Sequence, residues 1–170
     1  TAKVEVLGSN VGKSSMVIEY KIVVKNEGEV AGYAKKVVDY LPAGVGFSTE
    51  LNKDWYLSDN GNVYNASLAN EIINPGETKE LTLVLTKKIT EDSLGVLSNN
   101  AEIYEAYNEQ GLKDIDSTPG NKATNEDDYS TANVLTSVKT GDIVIYTTLI
   151  VTIIAIVGVG IYMIKKKVLK

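Results

Sequence analysis

Five carboxylates fall within residues 114–128: Asp114, Asp116, Glu126, Asp127 and Asp128, beside the side-chain oxygens of Ser117, Thr118 and Asn121. Clustered hard oxygens of this kind suit Ca²⁺, which takes six to eight of them and tolerates irregular geometry. The spacing is not that of an EF-hand. With Asp114 as the first position, Pro119 stands at the sixth, where Gly is needed, and Asn125 rather than Glu stands at the twelfth. Like charges so close repel one another, and a bound cation would relieve that cost. Asp114, Asp116, Asp127 and Asp128 are the expected ligands of a structural Ca²⁺. The other reading is a solvated acidic loop with Asx turns around Pro119, and the residues alone leave both open.

Two further patterns bear on covalent chemistry. Lys139-Thr140-Gly141 precedes an apolar run and a basic end, as in a sortase signal, where Leu-Pro-x-Thr-Gly stands in this place. Here Ser137 and Val138 replace the Leu and Pro, and Val lacks the fixed φ that kinks the recognised peptide. An intramolecular Lys–Asn amide bond would need a buried Lys, an Asn on a neighbouring strand and a nearby acid. Lys21 and Lys25 alternate with the more apolar positions of their strand, so solvent is their expected surrounding. The chain has no Cys and no His, which removes disulfides, thiolates and the commonest general base and metal ligand. No nucleophile elbow, P-loop or zinc motif is present, and five acids in one loop do not make the opposed pair that glycoside hydrolysis requires. The expectation is that the chain is not an enzyme.

The strongest physical statement concerns the end of the chain. From Ile143 to Ile164 no side chain is charged, and Lys165, Lys166, Lys167 and Lys170 follow. As a helix this run is about 33 Å long, enough for a hydrocarbon core of ~30 Å. A transmembrane helix over 143–164 is expected, with 139–142 a short linker and 165–170 a basic cytoplasmic tail. Lysines mark the cytoplasmic side, so residues before the run face outward across the plasma membrane. With the four terminal lysines set aside, 13 lysines face 22 acids, a net charge of −9 over residues 1–142. That balance argues against nucleic acid and anionic lipid as partners of the exterior part. An exterior domain without Cys fits a Gram-positive surface better than a secreted animal domain. The start at Thr1, with neither Met nor a signal peptide, suggests the tail of a longer precursor.

Residues 1–138 read as one β-sandwich. In Ser14–Lys25, Met16, Ile18, Tyr20, Ile22 and Val24 share one face, the period of two of a half-buried strand. Further strands are expected at Lys3–Leu7, Ala31–Tyr40, Phe47–Asn52, Trp55–Leu57, Val63–Tyr64, Glu80–Lys87, Val96–Glu105 and Tyr129–Val138. Turns are expected at Asn26–Gly28, Asn60-Gly61 and Asn74–Glu77, and at most one helical turn within Ala66–Ile73. Such a string of short strands predicts an all-β, immunoglobulin-like antiparallel sandwich followed by one C-terminal transmembrane α-helix. The rings of Tyr20, Tyr33, Tyr40, Phe47, Trp55, Tyr56 and Tyr64 suit packing, with a sugar-binding patch near Tyr33/Tyr40 or Trp55/Tyr56 as the alternative.

Residues 14–138 also resemble the conserved-repeat domain found in tandem on bacterial cell surfaces. The resemblance lies in Asn26, Gly28, Asp39, Leu41, Pro42, Gly44 and Phe47, then Ile73–Thr78 (INPGET), Asn99–Ile103 (NNAEI) and the 114–128 loop, in that order. It implies an immunoglobulin-like sandwich, often one bead in a stalk, and no particular ligand. Together these features predict a membrane-anchored extracellular module with structural or adhesive work. Its partners beyond the membrane would be other surface proteins, or cell-wall or host components. A ligand or carbohydrate receptor, or a sortase-processed adhesin, is the alternative.

Overall fold

The computed structural model describes residues 1–11, 15–90, 95–139 and 142–146, which form ten strands in two antiparallel sheets. In chain order they are β1 (Ala2–Val11), β2 (Ser15–Lys25), β3 (Tyr33–Tyr40), β4 (Val45–Phe47), β5 (Trp55–Leu57), β6 (Val63–Asn65), β7 (Thr78–Lys88), β8 (Gly95–Tyr107), β9 (Tyr129–Lys139) and β10 (Asp142–Tyr146). One sheet has the order β1-β2-β7-β4 and the other β10-β9-β8-β3-β6-β5.

Alternation decides which side chains meet between the sheets. Met16, Ile18, Tyr20, Ile22 and Val24 of β2 are all buried, and β7 adds Leu81, Leu83 and Leu85 in the same phase. The facing sheet answers with Val37, Val63, Leu97, Ala101, Ile103, Ala132 and Val134. Leu68 and Ile73, from the connection between β6 and β7, close one side of this layer. That connection holds turn bonds from Ala69 N–H to the Ala66 carbonyl and from Glu71 N–H to the Leu68 carbonyl.

The chain departs from expectation after Phe47. A strand over Phe47–Asn52 was expected, but β4 spans only Val45–Phe47 and the chain then turns along the edge of β7. There the Asn52 side chain acts as a strand residue would. Its Nδ2 donates to the Val84 carbonyl at 2.8 Å, and its Oδ1 accepts from the Val84 N–H at 2.7 Å. Three positions on, Trp55 is buried and its Nε1 donates to the Thr82 carbonyl at 2.8 Å. Trp55 is thus a core ring rather than part of a surface patch.

The second departure is at Ile143. Asp142–Tyr146 is a strand antiparallel to β9, with Ile143 opposite Val138 and Ile145 opposite Thr136, where a helix was expected to begin. Ile143, Val144 and Ile145 are β-branched, stiff at χ1 and better suited to a pleated ladder than to a helix start. The rest of the expected helix, including Ile164, and Lys165, Lys166 and Lys167 lie outside the described residues. No helix among the described residues is long and apolar enough to cross a membrane.

Asn52→Ala should destabilise the sandwich by about 2 kcal/mol, since it strands a buried N–H and a buried carbonyl on β7. Denaturant unfolding followed by Trp55 fluorescence measures it. An unchanged midpoint would show that the edge does not need this cap.

Candidate functional site

The connection from β8 to β9, residues 108–128, crosses the outer face of the six-stranded sheet as a strap. Glu102, on that outer face, anchors it. Glu102 is fully buried; its Oε1 accepts the Lys122 N–H at 3.1 Å and its Oε2 accepts the Tyr40 hydroxyl. Lys122 has φ +60°, and its Nζ lies 4.2 Å from the centre of the Tyr40 ring. At Gly120 a Cβ would come within 3.0 Å of the Tyr104 carbonyl, so only Gly allows the strap to lie this close. Inside the strap, Glu126 takes the Thr118 N–H at 2.7 Å and the Asn121 side-chain amide at 3.0 Å. Asn121 Oδ1 in turn accepts the Ala123 N–H at 2.7 Å, an Asx turn.

The four expected Ca²⁺ ligands divide. Burial opposes ionisation of Asp114, but hydrogen bonds with Ser117 and Asp116 outweigh it and hold its carboxyl below the ordinary range. Asp116 is pushed up by that hydrogen bond with Asp114 and by the charge of Asp127. Asp116 therefore senses both of the others. Asp128 is buried, with neither carboxylate oxygen meeting a protein partner. Desolvation, then the charges of Glu102, Glu126 and Asp127, push it up to about 6. Among the described residues no three acids converge as a ready-made metal set. Asp116 feels both Asp114 and Asp127, whereas Asp128 feels Glu102 and Glu126 as well as Asp127.

Lys21 pairs with Glu5 at 3.4 Å and Glu80 at 3.3 Å, and Lys25 with Glu27 at 2.7 Å, all on the outside of the four-stranded sheet. Neither can supply a buried amine. Yet an acid and an amide do meet in the core: Asn99 Nδ2 donates to Asp39 Oδ2 at 2.6 Å, and both residues are fully buried. Burial, and then the charge of Asp39, push up the phenol of Tyr20 on the facing sheet. Sequence reasoning missed this group although the signal was present. Asp39 shares the inward phase of Val37, and Asn99 shares that of Ala101 and Ile103.

Several of the remaining tyrosines form ring pairs. Tyr56 is half exposed and stacks on Tyr64 at 5.8 Å, and Tyr64 meets Tyr104 edge-on at 5.2 Å. Tyr33 and Tyr107 lie 5.9 Å apart, with Lys35 Nζ 4.5 Å from the Tyr33 ring. Lys139 ends β9, whereas Thr140 and Gly141 lie outside the described residues.

Two predictions follow from these groups. Burial without a counter-ion lifts Asp39 from its ordinary 3.8 to about 8. The folded chain therefore binds a proton there that the unfolded chain has lost, and stability falls as pH rises from about 4 to about 8. Glu77 works at the other end: the Asn74 backbone, Lys79 and the Asn74 side chain hold it down at about 2. Its contribution is present above its ordinary 4.5 and lost as pH falls toward 2. Thermal melts should peak near pH 4–5, and Asp39→Asn should flatten the decline toward pH 8. A wild-type curve still rising from pH 5 to 8 would contradict this assignment. The intact mass should equal that of the full sequence, with no ammonia lost, because neither Lys21 nor Lys25 reaches the Asp39–Asn99 pair.

No protein-family model matches the chain, and no curated protein matches it. Among solved structures, the fimbrial adhesin FimA of Actinomyces is similar to it at 15% sequence identity and a TM-score of 0.42, over 80% of this chain and 56% of the adhesin. The chain thus spans little more than half the length of that structure.

Proposed function

We propose that this chain is a structural and adhesive module held at the outer face of a Gram-positive plasma membrane. The observation that carries the reading is the charge-free run ending at Ile164 and closed by Lys165, Lys166 and Lys167. Even with Ile143–Tyr146 in β10, residues 147–164 amount to 18 apolar or uncharged positions. As a helix these extend about 27 Å, within the range that spans a bilayer. Lysine on the far side supports an exterior sandwich. The strand orders β1-β2-β7-β4 and β9-β8-β3 support an immunoglobulin-like arrangement, being those of strands A-B-E-D and G-F-C. The module works by shape and attachment rather than by catalysis.

Cell fractionation tests the anchor. Extraction of the intact chain by detergent supports the helix. Release only after wall digestion, with cleavage between Thr140 and Gly141, would replace it with sortase attachment.

A structural Ca²⁺ is the second element of the proposal, and what favours it is the influence of both Asp114 and Asp127 on Asp116. Because no three acids converge among the described residues, backbone carbonyls and water would supply most of its shell. The melting temperature should rise in millimolar Ca²⁺ relative to chelator. Equal values would remove the ion from the proposal. The half-exposed Tyr56 on its stacked Tyr64 gives the carbohydrate-receptor alternative its best surface, and a glycan array would separate receptor from stalk.

A further inference from the structure

The edge of β7 away from β2 is covered unevenly. β4 pairs only with Leu85–Lys87. Next along, the Asn52 side chain takes both the N–H and the carbonyl of Val84, and Trp55 Nε1 takes the Thr82 carbonyl. In an antiparallel strand the N–H and carbonyl of one residue point the same way, and successive residues point to opposite sides. The register of β2 on β7 is unbroken from Ser15 opposite Lys88 to Lys25 opposite Thr78, so Thr82 and Glu80 face the same edge as Val84. There the Thr82 N–H and the Glu80 N–H and carbonyl make no hydrogen bond among the described residues. A longer β4, continued with Phe47 opposite Leu85, would set Asn52 opposite Glu80 and cover all three groups.

A cavity of about 360 Å³ lies along this stretch, between Lys79–Thr82 on one side and Asp54, Asn65 and Glu71 on the other. Asn65 is buried; its Oδ1 accepts the Ser67 N–H at 2.8 Å and the Ser67 hydroxyl at 2.6 Å, while its Nδ2 has no partner among the described residues. The charges along the cavity are matched except one. Lys79 pairs with Glu71 at 3.3 Å and Glu77 at 3.1 Å, and Glu80 pairs with Lys21 at 3.3 Å. Asp54 has neither an ion pair nor a side-chain hydrogen bond among the described residues. We propose that this edge takes an extended peptide of another protein, carrying a basic side chain, as a short added strand beside Glu80 and Thr82. Strand addition of this kind draws its affinity from main-chain bonds and its selectivity from the side chains that alternate along the peptide. Here the main-chain groups are those of Glu80 and Thr82, Asn65 Nδ2 offers a donor from across the cavity, and Asp54 selects the positive charge.

The inference does not depend on the anchor, since fractionation tests the one and amide exchange the other. The measurement is hydrogen exchange of the full chain in detergent, with the peptide Ser-Val-Thr-Lys-Thr-Val-Ser as probe and its Lys-to-Glu counterpart as control. In the chain alone, the Glu80 and Thr82 amides should exchange far faster than those of Leu81 and Leu83, which face β2. At saturating Lys peptide both should slow at least about fivefold, and the Glu peptide at the same concentration should leave them unchanged. Asp54→Asn, at an exposed position, should weaken the Lys peptide about threefold and leave the melting temperature unaltered. Amides already slow in the dilute chain alone would mean that the edge is covered from within, and slowing that tracks protein concentration would mark a second copy as the occupant. Either result overturns the proposal. So does an absence of slowing in millimolar Lys peptide, equal slowing by the Glu peptide, or unaltered affinity in Asp54→Asn.

Discussion

Burial on both faces is an unusual demand on an antiparallel strand, which commonly leaves one face in water. In β3 it is met over Val37–Asp39: Val37 and Asp39 point into the layer between the sheets, and Val38, between them, is buried on the outer side. The inner face is dry because β2 and β7 cover it with an unbroken row of alternating apolar residues. The outer face is dry because the strap is drawn down onto Glu102 and Tyr104. Much else follows from this constraint. A carboxylate at 39 loses its water, Glu102 is enclosed and must take the Tyr40 hydroxyl and a backbone N–H, and Gly is required where the strap touches the Tyr104 ring.

The parts of the fold that rest on period-two alternation were open to sequence reasoning, and β2 and β7 are the clearest cases. Contacts that rest on a side chain imitating a backbone were not. Nothing local in Asn52 says that its amide will stand in for a strand residue beside Val84, and so the run after Phe47 looked like more strand. The acids were legible as a cluster but not as a set of separate tasks. Glu126 organises the strap, Asp114 and Asp116 share a hydrogen bond, and Asp128 is enclosed near Glu102. Those assignments depend on which backbone amides come within reach, which is a property of the whole connection. Asp39 and Asn99 were hidden for a different reason. Each sits in an inward phase, but a polar residue in such a phase reads as an interruption until its partner on another strand is known.

Polar ties join the two sheets at both flanks. At one Trp55 Nε1 meets the Thr82 carbonyl, and at the other the Val4 N–H meets Ser130 Oγ at 3.1 Å. Apolar contact holds the sheets together without fixing how they slide, because it is not directional. Hydrogen bonds at both flanks supply the direction. That division of labour suits a chain with no cysteine, which has no covalent means of fixing one sheet over the other.

The placement of β1 beside β9 has a mechanical meaning. Ala2 N–H bonds the Asp127 carbonyl at one pole, and both strands then run the same way, so that Thr1 and the end of β9 lie at opposite poles. Tension passing from Thr1 to Lys139 acts along the strands. The ladder between β1 and β2, and that between β8 and β9, have their hydrogen bonds perpendicular to that direction. Such ladders are loaded in shear, with many bonds strained together, instead of being unzipped one at a time. A sandwich threaded this way resists stretching by topology.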